Sequence, residues 1–445
     1  MPWDALTWPL ALVVAAAIVL PYLLSFRRRR LVGRVRLEEA ARLGTDRPLA
    51  QYPFIDATRC IGCGSCVPAC PEGDVLAVVG GTARVVNALR CIGHGRCAIA
   101  CPVGAIEIGL GDVREREDIP LVDAWQESSV AGLFVVGELS GMALVSNAVA
   151  QAVRAVERIA ERAASPRGVA GPDVFDVAVV GAGPAGLAAA AAAGEKGLSH
   201  VVLEQESDLG GTINHYPRRK LVLVQPVEVP VLGRLREAEY TKEDLLGLLQ
   251  RLVKDAPLAV RFGERVEDVR RSGELFEVRS AAGTVRSRFL VLALGRRGTP
   301  RKLGVPGEQL PKVMYRLLDA ESYQHQRLLI VGGGDSAVEA AIGLARQRGN
   351  EVTLSYRREK LVRIKRKNED RLARLLENGR VRGLMSSTVA QITPTSAVLE
   401  AGGGRQELAN DYVFVFAGGE PPLALLHKAG IRFGGALSAA RQSPS

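Results

Sequence analysis

The sequence predicts an α/β protein in which a three-layer sheet architecture occurs twice, preceded by a small α+β module and one apolar N-terminal helix. Three observations predict it. Two strand–glycine turn–helix–strand units begin at Val177 and Arg327. All seven cysteines fall between Cys60 and Cys101, in two copies of one spacing. Ala5–Phe26 runs without a charge.

The first unit organises the chain. Val177–Val180 is an apolar run suited to a buried parallel strand, and Gly181, Gly183 and Gly186 make a tight turn. An alanine-rich helix follows from Leu187 to about Ala193, then a strand, Val201–Leu203, ending at Glu204. Two such glycines let the backbone approach a pyrophosphate at the helix N-terminus, and the third lets helix pack on strand. The acid takes ribose hydroxyls. The second unit has strand Arg327–Val331, then Gly332, Gly334, Ser336 and Ala337, helix Val338–Arg346 and strand Glu351–Ser355. No acid ends that strand. Tyr356, Arg357 and Arg358 stand there, with Arg363 and Lys365 beyond. Arginine at this place favours NADPH over NADH, because a guanidinium pairs with the 2′-phosphate.

At 445 residues and 47% apolar content, the chain can bury several cores. Its net charge of +10 suits an anionic membrane or an acidic partner. Zinc-finger spacing, an RNP-like motif and basic–aromatic interleaving are all missing, so no nucleic acid is expected. Clustered cysteines point to metal ligands in a reducing compartment rather than dispersed disulfides.

Ala5–Phe26 is long enough to span a bilayer. Asp4 precedes it, and Arg27, Arg28, Arg29 and Arg30 follow. The positive charge lies after the apolar run, the reverse of a cleaved signal peptide. The expectation is a single-pass cell-membrane anchor with the catalytic domains cytoplasmic. Residues 1–30 form the anchor and its basic flank, and 31–51 a basic, partly helical linker.

Cys60, Cys63, Cys66, Cys70 and Pro71 give the C-x2-C-x2-C-x3-C-P run of iron–sulfur proteins. Three thiolates on one tight loop take three corners of a cube, and the fourth is expected to open a helix and reach a second cluster. Cys91, His94, Cys97, Cys101 and Pro102 repeat the spacing, with His94 in the second ligand's place. The segment 52–110 therefore resembles a bacterial dicluster ferredoxin. That resemblance implies Cys60, Cys63, Cys66 and Cys101 for a 4Fe-4S cluster, and Cys70, Cys91 and Cys97 for a second. With His94 as fourth ligand the second is 4Fe-4S; without it, 3Fe-4S.

Residues 119–163 hold a strand, Leu133–Val136, ending at Gly137 and Glu138, then Asn147 and an Ala/Val helix from about Ala148 to Ala163. This resembles the last piece of the flavin domain in thioredoxin-reductase-like members of the pyridine nucleotide-disulfide oxidoreductase superfamily. There the acid meets the flavin's ribityl or phosphate side. Further matches are Gly211-Thr212, Gly295 after strand Phe289–Leu294, and the Asp411–Pro422 stretch. In that family's order, the Gly-acid segment should follow Pro422, so the flavin domain looks circularly permuted. Leu133–Val136 should then share a sheet with Val177–Val180.

The resemblance implies two Rossmann-like domains, FAD at 172–304 completed by 119–163, and NAD(P) at 305–419, with 420–445 returning to the FAD domain. Ser165–Pro172 reads as a linker. Tyr216, Arg218 and Lys220 are expected near the flavin ring. Tyr240–Lys254 reads as a helix capped by Thr241 and Asp244, and Val260–Val269 and Leu275–Arg279 as strands. No cysteine follows Cys101, so a dithiol relay is not available. The parts imply electron flow from NAD(P)H through FAD to the clusters and a one-electron acceptor, or the reverse, from ferredoxin to NADP. The acceptor or donor is a quinone, a cytochrome or a ferredoxin-like carrier. The alternatives are a reductase of a low-molecular-weight disulfide and a membrane-bound redox sensor or adaptor. Homodimers are common in the resembling family.

Overall fold

The computed structural model describes residues 4–45, 51–110, 117–142, 144–163, 174–216, 218, 220–223, 227–235, 237, 239–296 and 299–434. The expected linker Ser165–Pro172 and the tail from residue 435 lie outside them. The chain divides into two compact units, Met1–Gly111 and Asp112–Ser445.

The first unit begins with one long helix, α1 (Asp4–Leu43). The transmembrane helix expected over Ala5–Phe26 is not found: among the described residues no helix is long and apolar enough to cross a membrane. Within the expected run, the side chains of residues 5–11, 18, 22, 23, 25 and 26 lie outside the described set. Leu12, Val13, Val14, Val19, Leu20 and Leu24 are exposed. The stretch expected as a linker continues α1 to Leu43 and packs on the cysteine-bearing module. A Cβ on Gly33 would lie 3.1 Å from Val79, and Ala40 is buried.

That module pairs strand β1 (Gln51–Ile55) antiparallel with β4 (Ile106–Leu110), and hairpin strand β2 (Leu76–Val79) with β3 (Thr82–Val85). Two one-turn helices, α2 (Cys66–Ala69) and α3 (Arg96–Ile99), carry the cysteine repeats. The fourth cysteine of the run does not open a helix. Cys66 opens α2 and Cys70 is its C-cap, because the helix fills the three-residue gap between them.

Two large sheets organise the second unit. In the first, β6 (Val174–Val180) lies between β7 (His200–Leu203) and strand Gly283–Leu292, parallel to both. Strand β5 (Leu133–Val135) joins the same sheet, parallel to Leu290–Leu292. The order forces alternation. Val177 and Val179 face one core with Ala152, Ile159, Leu187 and Leu252. Ala178 and Val180 face the other with Phe276, Leu426 and Phe433. The first core is covered by α4 (Val145–Ala163), α5 (Pro184–Glu195) and α6 (Lys242–Asp255), completing three layers with the antiparallel strands Val266–Ser272 and Leu275–Ser280. Thr241 and Asp244 form the expected capping box on α6. The single strand expected over Val260–Val269 is two: Val260–Arg261 pairs with β7, and Val266–Ser272 with Leu275–Ser280. Gly263, at φ +71°, turns the chain between them.

The second sheet is five parallel strands, in the order Val313–Met314, Tyr412–Val415, Arg327–Val331, Glu351–Tyr356, Val381–Met385. Helix α7 (Asp335–Ala345) packs with α8 (Arg366–Glu377).

Candidate functional site

The three glycines after β6 have three different jobs. Gly181 has φ +106°, and a Cβ there would sit 2.5 Å from the Ala293 carbonyl oxygen. A Cβ on Gly186 would collide with the carbonyl oxygen of Gly181. Around Gly183 a Cβ would meet nothing within 4 Å. Two glycines are thus demanded by packing and the middle one by open space at the N-terminus of α5, where a pyrophosphate fits. The other expected flavin residues gather here. A Cβ on Gly211 would come 3.4 Å from Gly183 Cα, one on Gly295 3.8 Å from Thr212 Oγ1, and one on Gly137 3.2 Å from the Ala185 Cβ. Glu138 follows in the same turn, and Asn147 lies in the first turn of α4.

Glu204, buried at the end of β7, is held at both oxygens by backbone. It accepts Ala182 N–H at 2.5 Å and Glu206 N–H at 3.0 Å. The acid therefore braces the glycine turn.

Sequence reasoning missed Gln151. It is buried in α4, accepts Gly137 N–H at 2.8 Å through Oε1 and donates to Ser140 Oγ at 2.9 Å. Ser140 Oγ donates to the Gly137 carbonyl. The trio locks the Gly137–Glu138 turn. The only signal was an amide on a helix face otherwise alanine, valine and isoleucine. Arg296, next to Gly295, is paired with Asp118.

Two of the residues expected near the ring, Tyr216 and Lys220, lie against each other. Lys220 Nζ lies 2.9 Å from Glu339 on α7 and 4.4 Å from the Tyr216 ring centroid. Arg218 is exposed.

The second turn repeats the logic with different parts. Gly332 has φ +149°, and a Cβ there would sit 2.6 Å from the Phe416 carbonyl oxygen. Gly334 has open space, and buried Ala337 takes the third position. The Tyr356 ring covers Gly333 so closely that a Cβ would overlap it. Arg357 and Arg358 are exposed beyond it. Burial lowers the Arg363 pKa, and the charge of Arg358 adds to the effect. Among the described residues Arg363 Nε has no hydrogen-bond partner. Three crowded cations at this strand end suit a phosphate dianion.

In the first unit the two cysteine loops are built alike. Gly62 (φ +66°) would collide through a Cβ with the Gly81 carbonyl, and Gly93 (φ +78°) with the Gln51 side chain at 2.5 Å. Cys60 Sγ accepts Ala83 N–H at 3.3 Å, and Cys101 Sγ accepts Ala105 N–H at 3.2 Å. Such bonds help set cluster potentials. Cys70, Cys91, Cys97 and His94 line one pocket together with Glu72. His94 Nε2 is 3.7 Å from Glu72 Oε1. Burial pushes the Cys91 thiol up to about 11, and Cys66 likewise to about 11. Burial also raises Cys70 and Cys97. Cys63 is exposed and lowered by its hydrogen bond to Ser65. Among the described residues no group of three or more His, Cys, Asp or Glu is close enough to hold a metal ion. A cube of iron and sulfide spreads its thiolates over separate corners, wider than a single ion does. The cysteine-lined cavity, the N–H···S bonds and the left-handed glycines fit such a group.

Residues 178–436 match the family described as pyridine nucleotide-disulphide oxidoreductase. The chain belongs to this family. Residues 52–102 match the 4Fe-4S dicluster domain. It is an FAD-dependent NAD(P)H oxidoreductase fused to a 4Fe-4S dicluster domain. It is 30% identical over 251 residues to a ferredoxin–NADP reductase of Ignicoccus hospitalis, covering 56% of this chain and 78% of that one. With a ferredoxin–NADP reductase of Thermus thermophilus it shares 33% over 192 residues, 42% of this chain and 54% of the relative. The chain thus spans only about half the length of some curated relatives. Among solved structures, the bacillithiol disulfide reductase Bdr of Staphylococcus aureus is 27% identical, with a TM-score of 0.54 over 58% of this chain and 81% of that one.

Proposed function

We propose that the protein moves electrons between NADPH and a one-electron acceptor or donor, with FAD and two iron–sulfur clusters as resident carriers. One observation carries this reading: two glycine turns with room for a dinucleotide share a chain with two cysteine loops, and no cysteine follows Cys101. Bound FAD would supply the conversion between a two-electron hydride and single electrons, which the clusters would carry. The chain's own residues position these groups. Gly183 and Gly334 leave room for pyrophosphates at the N-termini of α5 and α7. Gln151 and Ser140 hold the Gly137–Glu138 turn. Arg357, Arg358 and Arg363 offer charge-assisted hydrogen bonds to a 2′-phosphate, which favours NADPH over NADH.

The flavin domain is circularly permuted in this reading, since β5 completes the sheet yet precedes β6 in the chain. The ferredoxin–NADP reductases that the chain resembles support flow in either direction, with the fused dicluster segment as a built-in ferredoxin. The external partner is then a quinone, a cytochrome or a ferredoxin-like carrier. Cys60, Cys63, Cys66 and Cys101 hold the first cluster. Cys70, Cys91 and Cys97 hold the second, which is 3Fe-4S, or 4Fe-4S with His94. The exposed apolar side chains of α1 and the arginines after them favour attachment to the cell membrane, with the catalytic units in the cytoplasm. A homodimer is the expected assembly.

A second reading, reduction of a low-molecular-weight disulfide, is favoured by the likeness to the bacillithiol disulfide reductase structure. It requires a thiol relay that the sequence after Cys101 does not provide. The deciding experiment is anaerobic NADPH titration with optical and EPR spectra. Flavin bleaching followed by reduced-cluster signals supports the relay. Clusters that stay oxidised despite potentials within reach of NADPH reject it. Steady NADPH turnover with an artificial acceptor counts against a pure redox sensor.

A further inference from the structure

The second half of α1 does more than lead into the cysteine module. Arg36 Nη1 lies 2.7 Å from Asp74 Oδ1, and Arg90 Nη1 lies 3.5 Å from Asp74 Oδ2. The three residues come from three places: Arg36 from α1, Asp74 from the loop that follows Cys70, and Arg90 from the position before Cys91. Cys70 and Cys91 both line the cavity of the second cluster. Arg90 is almost wholly buried, at 6% exposure, whereas Arg36 is 41% exposed. Asp74 is held at φ +49°, in the left-handed region that a non-glycine residue rarely takes. The helix is fixed to the same module by Gly33 against Val79, by buried Ala40 and by the Thr45 carbonyl, which accepts Ala88 N–H at 2.8 Å.

We propose that Arg36, Asp74 and Arg90 form a positioning triad through which the seating of α1 sets the geometry and potential of the second cluster. The proposal rests on the reading that Cys70, Cys91 and Cys97 hold that cluster. A buried cation beside a cluster favours its reduced, more negative form, and an anion disfavours it. Asp74 partly cancels the Arg90 charge, and Arg36 in turn partly cancels Asp74. Removing members of the triad therefore moves the potential in opposite directions.

The test is an EPR-monitored redox titration of the full-length protein, with iron and sulfide counted in each variant. Arg36→Gln lowers the second cluster's midpoint, Asp74→Asn raises it, and Arg36→Lys restores the wild-type value. The first cluster does not move. Arg36 is partly exposed and asparagine tolerates the left-handed backbone, so both variants retain the fold. Loss of packing alone would move both variants the same way or empty the site. Equal-sign shifts, or none, in a protein that carries both clusters overturn the triad. A wild-type protein with iron and sulfide for only one cluster overturns the cluster reading as well.

Discussion

The two glycine turns of the second unit solve one problem with different residues. In each, the first glycine sits against a carbonyl oxygen of the neighbouring strand end, Ala293 for Gly181 and Phe416 for Gly332. In each, the second glycine faces open space. They part at the third position. Gly186 touches Gly181 so closely that no Cβ fits, whereas Ala337 is buried where its counterpart stands. They part again at the strand end. Glu204 is buried and tied to the turn, while Arg357 and Arg358 stand in solvent. The third position reports how tightly helix meets strand; in the proposed function, the middle glycine leaves room for the ligand and the strand end selects the nucleotide.

The sharpest break of this comparison exchanges the third residues. Gly186→Ala forces backbone apart in a packed core, which costs more than the roughly 1–3 kcal/mol of ordinary overpacking. The expected outcome is protein without bound flavin, or insoluble protein. Ala337→Gly loses only helix propensity and a methyl, about 1–2 kcal/mol. Denaturant melts and flavin content measure both. Equal effects of the two substitutions would show that the turns are packed alike.

The strand ends give a second, smaller contrast. Arg357→Ala with Arg358→Ala should raise KM for NADPH by roughly 10- to 100-fold, the equivalent of one or two charge-assisted hydrogen bonds. KM for NADH and kcat with either nucleotide should change little. An equal loss with both nucleotides would move these arginines from the 2′-phosphate to a general role.

Much of this was legible in sequence because it is local. Gly181, Gly183, Gly186 and the cysteine loops are defined by spacing within a few residues. Strand β5 was legible for another reason: Leu133–Val136 is apolar on both faces and had to find a sheet. Gln151 was not legible, because its partners, Gly137 N–H and Ser140 Oγ, are set by how α4 lies on the turn. The docking of α1 was hidden for the same reason. Arg36 reads as one more solvated charge until Asp74 is brought to it by the fold. The split at Gly263 was missed because Val260, Phe262 and Val266 share one parity, although the polar pair Glu264–Arg265 interrupts the run between them.

Gln151→Ala tests the lock on the Gly137–Glu138 turn. It leaves the buried Gly137 N–H without its acceptor, at about 1–3 kcal/mol. Weaker flavin retention is expected together with a lower melting temperature. A loss of stability with flavin affinity intact would make Gln151 a packing residue only.

The smallest effect concerns one carboxylate on an inner strand of each large sheet, Asp176 within β6 and Asp411 just before Tyr412–Val415. Burial tends to push Asp176 up, but hydrogen bonds from Ser199 and Arg288 outweigh it and hold the carboxyl below its usual range. Asp411 is held low by hydrogen bonds from Arg327. A carboxyl whose folded pKa is depressed contributes stability that is fully present above its unfolded pKa, near 3.9, and fades as pH falls through the lower folded value. Asp176→Asn and Asp411→Asn should therefore destabilise at neutral pH, with the difference from wild type closing as pH falls below about 4. Asp411 is the more exposed, so solvent screening should make its effect the smaller. Melting curves of both variants across pH 3–7 decide it. A difference that persists unchanged at pH 3 would assign the loss to packing rather than charge, and a larger effect at Asp411 would reverse the ranking of the two carboxylates.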